Sequence, residues 1–230
     1  MLVHGARMSS AQWEQYPALI PDAEVVPVDL PGHGDRLAEE LTVDTALQVI
    51  TEAVRGVDGQ PVVLAGHSLG GYLATLWASR HPHDLTGLVL IGATADPNGR
   101  ISPGYRGFAR LLAAVGPERM HRVSGAVMRL LGAGDAAAST DSAAYATLPI
   151  AWQIVADHCG PHLLEGLPCP VLMVNGQWDQ MRLDVAKYAA AARRSRVVTV
   201  RGATHLLPMT HRDQVAEALA EAVADVVAGA

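Results

Sequence analysis

The sequence predicts an α/β protein: a mostly parallel β-sheet flanked by helices, interrupted by a helical insertion. Three observations carry this. Short β-branched runs alternate with longer stretches of helical period through the first two-fifths of the chain. Those runs are apolar at consecutive positions, as expected of strands buried on both faces. The alternation stops after Gly92 and resumes at Pro170.

In order, Met1–His4 is a short apolar run. Gln12–Ile20 has a helical pattern, with Ser9 or Ser10 able to cap it. Glu24–Asp29 (EVVPVD) reads as a strand, ended by the turn-forming Leu30–Asp35 (LPGHGD). Val43–Val57 places Val43, Ala46, Leu47, Ile50, Ala53, Val54 and Val57 at helical spacing. Pro61–Ala65 is a buried strand, Leu69–Arg80 a helix and Gly87–Ile91 a further strand. Residues 93–167 lack β-branched runs. Helical patterns appear at Tyr105–Val115, Pro117–Leu131 and Ile150–Cys159, joined by Gly/Ala/Ser/Asp-rich links such as Gly132–Ser142. Then come a strand at Pro170–Val174, a helix at Leu183–Arg193, a strand at Arg196–Val200 and a closing helix at Arg212–Val227. The expected organisation is one domain with core 1–92 and 168–230 and a helical insertion 93–167.

Composition narrows the function. Of 230 residues, 50% are hydrophobic and 17% charged, ample apolar side chain to offset the entropy of ordering. The formal charge of −6 argues against binding a phosphate backbone, so no nucleic-acid partner is expected. No run of 18 apolar residues offers a membrane span, and the N-terminus lacks a secretory pattern. The chain reads as soluble and cytoplasmic. Cys159 and Cys169 are too few for a disulfide framework; they could pair, but inert buried thiols are the favoured reading.

Gly66-His67-Ser68-Leu69-Gly70 fits G-x-S-x-G between an expected strand and an expected helix. A turn tight enough to expose a nucleophile strains its backbone, and glycines on either side remove the collisions. A serine hydroxyl needs a base held by an acid. Of ten histidines, His205 follows the last strand in GATH, at the sheet edge where site loops gather. His67 adjoins the serine but should point away from it. His81 and His83 fall at a helix end, and His211 begins the last helix. His158, Cys159 and His162 make a poor metal set, because Pro161 breaks any shared helical face. No metal or other cofactor is expected. The acid should also follow a strand: Asp179 after PVLMV is favoured, with Asp96 after GLVLI as runner-up. A helix N-cap is the competing role for Asp179. The oxyanion needs preorganised donors, for which Leu69 N–H and Ala6 N–H are the candidates. Gly5 is expected to turn the backbone back toward the serine, while His4 and His33 brace their loops.

Taken together, His4-Gly5, DLPGHG (Asp29 to Gly34), GHSLGG (Gly66 to Gly71), NGQWD (Asn175 to Asp179) and GATH (Gly202 to His205) resemble the α/β-hydrolase family. The resemblance covers nearly the whole chain and implies a triad of Ser68, Asp179 and His205 and a cap over the insertion. It disfavours relatives with an aspartate nucleophile. Family members carry two strands before the HG motif, which sits three residues from Met1 here. This implies a shortened sheet or a true start upstream. The Glu24–Asp29 strand should then be an outer edge, which Pro27 tolerates. Its valines would invite a second subunit, giving a homodimer, or an upstream covering segment.

The expected activity is a cofactor-free serine hydrolase acting on esters or thioesters of small to medium apolar acids. Leu111, Leu112, Val115, Met120, Val127, Met128, Leu131, Tyr145, Ile150, Trp152, Ile154 and Val155 would build the cap. Aromatic contacts to substrate would fall to Trp13, Trp152, Trp178 and Tyr145. The alternatives are a C–C bond hydrolase or lyase with the same triad, a thioesterase serving a carrier protein, and a non-catalytic small-molecule receptor. Product analysis, acyl-thioester panels and ligand-dependent partner binding would separate them.

Overall fold

The computed structural model describes residues 1–57, 59–99, 126 and 143–228. Among these, six strands form one parallel sheet: β1 (Leu2–Val3), β2 (Pro27–Val28), β3 (Val63–His67), β4 (Gly87–Ile91), β5 (Val171–Gly176) and β6 (Ser195–Val200). Their spatial order is β2-β1-β3-β4-β5-β6. Ala65 stands beside Leu2 and Val89, and Val89 beside Leu172, so the middle of the sheet is in register.

The helices are α1 (Tyr16–Leu19), α2 (Val43–Arg55), α3 (Leu69–Arg80), α4 (Leu148–His158), α5 (Val185–Ala191), α6 (Leu207–Thr210) and α7 (Arg212–Ala228). Strand side chains alternate between two apolar layers. Leu64, Leu88, Leu90, Val171 and Met173 pack with α2, α3, α4 and α5. Ala65, Val89, Ile91, Leu172 and Val174 face Trp13, Tyr16 and the α7 residues Val215, Ala216 and Leu219. Leu69 to Ala78 of α3 are all buried, as suits a helix apolar on every side. By contrast α2 is amphipathic, burying Ala46, Leu47, Val49 and Ile50, and a Thr42/Thr45 capping box starts it.

Several boundaries differ from expectation. The helix expected at Gln12–Ile20 is a 3₁₀ turn, Ser10–Trp13, followed by α1, because Pro17 in the first turn of α1 lacks the N–H needed to continue an earlier helix. Neither Ser9 nor Ser10 caps it; the Ser10 N–H and hydroxyl bind the Asp29 carboxylate at 2.6 and 3.2 Å. The strand expected at Glu24–Asp29 pairs only over Pro27–Val28. β3 begins and ends two residues later than Pro61–Ala65. The patterns at Tyr105–Val115 and Pro117–Leu131 lie outside the described residues, as does most of the expected cap. The third, Ile150–Cys159, corresponds to α4.

Among the described residues β2 has one strand neighbour, β1. Leu2 N–H donates to Val26 C=O at 2.9 Å, so alternation turns the Pro27 nitrogen to the outer side, where its missing proton costs no ladder bond. Val28 is buried and Val25 half-buried against the Trp13 layer, so this edge is less open than its sequence suggests. No helix among the described residues is long and apolar enough to cross a membrane.

Candidate active site

The three side chains singled out from sequence meet at the C-terminal edge of the sheet. Ser68 lies between β3 and α3 with φ 51° and ψ −117°. A Cβ on Gly66 would collide with the Gly70 backbone, and one on Gly70 with the Val3 carbonyl. Only glycines at both positions let the turn close against α3 and β1. His205, on the loop between β6 and α6, brings Nε2 to 3.0 Å from Ser68 Oγ. Its Nδ1 lies 3.0 and 3.1 Å from the two Asp179 oxygens. The Asp179 side chain is fully buried, while His205 keeps 23% exposure.

Asp179 also fills the competing role. Its Oδ1 accepts Met181 N–H at 2.8 Å, capping the 3₁₀ turn Gln180–Arg182. Burial pushes its pKa up, but the His205 hydrogen bond and charge, with the Met181 N–H, hold the carboxyl below the usual range. Asp96 is engaged elsewhere: its carboxylate meets Lys187 Nζ at 3.3 Å and accepts Asn98 N–H.

Leu69 opens α3, so its N–H has no helical acceptor. Ala6 lies in a turn closed by Met8 N–H donating to Gly5 C=O at 3.1 Å. Among the described residues neither amide donates elsewhere. The expected part played by Gly5 is corrected here. The left-handed residue of this turn is Arg7, with φ 69°. Gly5 is small for another reason: a Cβ there would stand 2.7 Å from His67 Nδ1. Arg7 reaches the Tyr145 hydroxyl at 3.3 Å and lies over its ring, and Tyr145 and Leu148 pack against Ala6.

His4 and His33 brace loops. His4 Nδ1–H donates to Gly5 C=O at 2.7 Å, and its Nε2 accepts Leu30 N–H at 3.0 Å. Burial, with His33 alongside, lowers the His4 pKa to about 3. His33 bonds Pro31 C=O and meets Thr147 Oγ1 at 3.2 Å, tying the 29–36 loop to the start of α4. His67 points away from Ser68, toward Gln12 and the His205 backbone. His81 stacks on Trp77. Cys159 and Cys169 are unpaired and buried, and burial pushes the Cys159 thiol up to about 12.

Gly92 and Gln12, like the left-handed Arg7, escaped the sequence reading. Gly92 follows β4 with φ 56°, and a Cβ there would stand 2.8 Å from Asp179 Oδ2 and 3.1 Å from His205 Nδ1. It is the floor under the acid–base pair. Gln12 accepts Gly5 N–H at 3.1 Å. The glycine after a strand was a visible signal; nothing local marked Gln12. Of the aromatic side chains considered for substrate contact, Trp13 is fully buried in the core and Trp178 is 69% exposed.

A model described as the alpha/beta hydrolase family matches residues 1–218. Among curated relatives, 2-succinyl-6-hydroxy-2,4-cyclohexadiene-1-carboxylate synthase from Enterobacter sp. (strain 638) is 32% identical over 93 residues, 40% of this chain and 36% of that protein. Human monoglyceride lipase is 33% identical over 97 residues, 38% of this chain and 32% of that protein. The matched stretch thus spans about a third of each relative's length. Among solved structures, a thermophilic esterase from Thermogutta terrifontis superposes with a TM-score of 0.77 at 23% identity, covering 98% of this chain and 89% of that one. A bromoperoxidase-like protein from Mycobacterium tuberculosis gives 0.78 at 18%, covering 98% and 92%. These likenesses carry the fold. With the family match over nearly the whole length and a parallel sheet that delivers Ser68 on a strand–helix turn, the chain belongs to the alpha/beta hydrolase family.

Proposed function

We propose that this hydrolase uses Ser68 to cleave carboxylic esters or thioesters of small to medium apolar acids through an acyl-enzyme. The observation that carries the reading is the placement of His205 between Ser68 Oγ at 3.0 Å and the Asp179 carboxylate at 3.0 Å. In this reading His205 Nε2 takes the Ser68 proton as Oγ attacks the carbonyl. Asp179 holds Nδ1–H, fixes the tautomer and stabilises the imidazolium. The oxyanion is held by the Ala6 and Leu69 amides. His205 then gives its proton to the leaving oxygen or sulfur. A water deprotonated by the same nitrogen attacks the acyl-enzyme, releasing the acid and restoring Ser68.

Ester cleavage is supported by the names of two relatives, monoglyceride lipase and protein phosphatase methylesterase 1. An apolar acyl group is supported by Tyr145 and Leu148 packing against Ala6. The 93–167 segment is proposed to act as the cap over Ser68. A panel of p-nitrophenyl esters and acyl thioesters of increasing chain length tests this. Turnover is expected to peak at short to medium acyl chains and to vanish in Ser68→Ala. Turnover that survives Ser68→Ala would refute it.

A further inference from the structure

His67 is 2% exposed, ends β3 and directly precedes Ser68. Three separate parts of the site close on its ring. Gly5, beside the oxyanion candidate Ala6, packs so tightly on the ring edge that only glycine fits. Gln12 lies 3.3 Å from Nδ1 and accepts the Gly5 N–H. The backbone carbonyl of His205 stands 3.0 Å from Nε2, with the two rings 4.9 Å apart. A carbonyl oxygen can only accept, so the contact is a hydrogen bond only when Nε2 carries the proton. The ring is neutral across the working pH range, because burial and the neighbouring His205 hold its pKa down at about 3. Gln12 presents Oε1, also an acceptor, to Nδ1, so the single proton can serve only one of the two contacts. The shorter one, 3.0 Å to the His205 carbonyl against 3.3 Å to Gln12, assigns it to Nε2 and leaves the Nδ1 lone pair facing Gln12 Oε1.

We infer that His67 is the positioning residue that sets the base and the oxyanion turn relative to the nucleophile. Its Nε2–H anchors the His205 backbone, and its ring edge seats Gly5; the inference rests on the hydrolase reading above. The reason for such a link is geometric. Ser68, His205 and Ala6 sit on three different loops, and misplacement of a reacting group by about 1 Å costs on the order of 100-fold in rate. From its position next to the nucleophile, the single His67 side chain reaches both other loops.

The test compares His67→Phe and His67→Leu, which remove the donor, with His67→Gln, which can present an N–H to the same carbonyl. Three readouts apply: the rate of fluorophosphonate labelling at Ser68, kcat and KM on a p-nitrophenyl ester, and the low-field proton resonance of the His205–Asp179 hydrogen bond. Folded apolar variants are expected to lose roughly 10- to 100-fold in labelling rate and kcat with KM little changed, and to lose or shift the low-field resonance. His67→Gln is expected to regain most of both. A folded apolar variant that labels and turns over at the wild-type rate overturns the inference. So does a loss that His67→Gln fails to recover. Nitrogen-15 spectra of the wild-type protein need no variant: His67 should be the Nε2–H tautomer, and an Nδ1–H tautomer overturns the inference. Wild-type protein that takes no label at Ser68 overturns the hydrolase reading, and this inference with it.

Discussion

Ser68 occupies a positive-φ conformation that costs a non-glycine residue roughly 1–3 kcal/mol, a strain tolerated because it lifts Oγ toward His205. Ser68→Gly is therefore expected to be more stable than wild type by about 1 kcal/mol, unfolding at a higher urea midpoint, while losing activity. An equal or lower midpoint would show that the turn is unstrained. Asp179→Asn is expected to lower kcat by roughly 1000-fold or more, as loss of an orienting carboxylate does, whereas Asp96→Asn should change it little. Asp96 is committed to Lys187, and the reverse ranking would move the acid. That Ser68, Asp179 and His205 would come together was legible because each follows a strand within a motif, and chain order narrows the choice. Gln12 was not legible: its part in the site depends on a 55-residue contact with His67 that no local pattern encodes. Arg7 was hidden differently, since a left-handed arginine is chosen by the turn around it and not by its own preference.

Elements show the same division. α3 and β4 coincide with their sequence patterns, Leu69–Arg80 and Gly87–Ile91, because apolar runs bounded by glycines and a strand–helix turn leave little freedom. The region before β2 was misjudged. Residues 12–20 have helical spacing, but Pro17 and the pull of the Asp29 carboxylate on Ser10 divide them into two short turns. β2 is short because its outer side has no strand to pair with among the described residues. Two substitutions separate an element's stability from its contribution to the site. Thr42→Ala removes the capping box of α2, whose hydrogen bonds involve none of Ser68, Asp179 and His205. It should cost about 1 kcal/mol in chemical denaturation and leave kcat unchanged. Gly92→Ala inserts a methyl group against the Asp179 carboxylate and the His205 ring. It should depress kcat at least 10-fold, beyond any loss of stability, because the acid–base pair itself must move. A Gly92→Ala enzyme with wild-type turnover would show that the pair has slack.

At the scale of the molecule, the sheet gathers loops from distant parts of the chain onto one edge and keeps several histidines there in the dry interior. His4 and His67 both have pKa values lowered by burial to about 3, against 6.5 ordinarily. The unfolded chain therefore binds protons first as pH falls. Their contribution to stability is full above about pH 6.5 and shrinks from there toward pH 3, by roughly 1 kcal/mol per pH unit for each histidine. Asp179 acts lower, its contribution declining only as pH falls below the ordinary carboxyl value of 3.8. Urea midpoints should thus fall steadily between pH 7 and 5, and a flat profile would mean that these rings are charged in the folded protein. The family was readable from five ordered motifs and the parallel sheet from apolar strands alternating with helices; substrate choice was not, because specificity depends on side-chain geometry and not on composition. The central claim, that Ser68 is an activated nucleophile, is tested most directly by intact-mass and peptide analysis after fluorophosphonate treatment. The account predicts one adduct, on Ser68, absent from Ser68→Ala and strongly slowed in His205→Ala; no adduct, or an adduct on another residue, would contradict it.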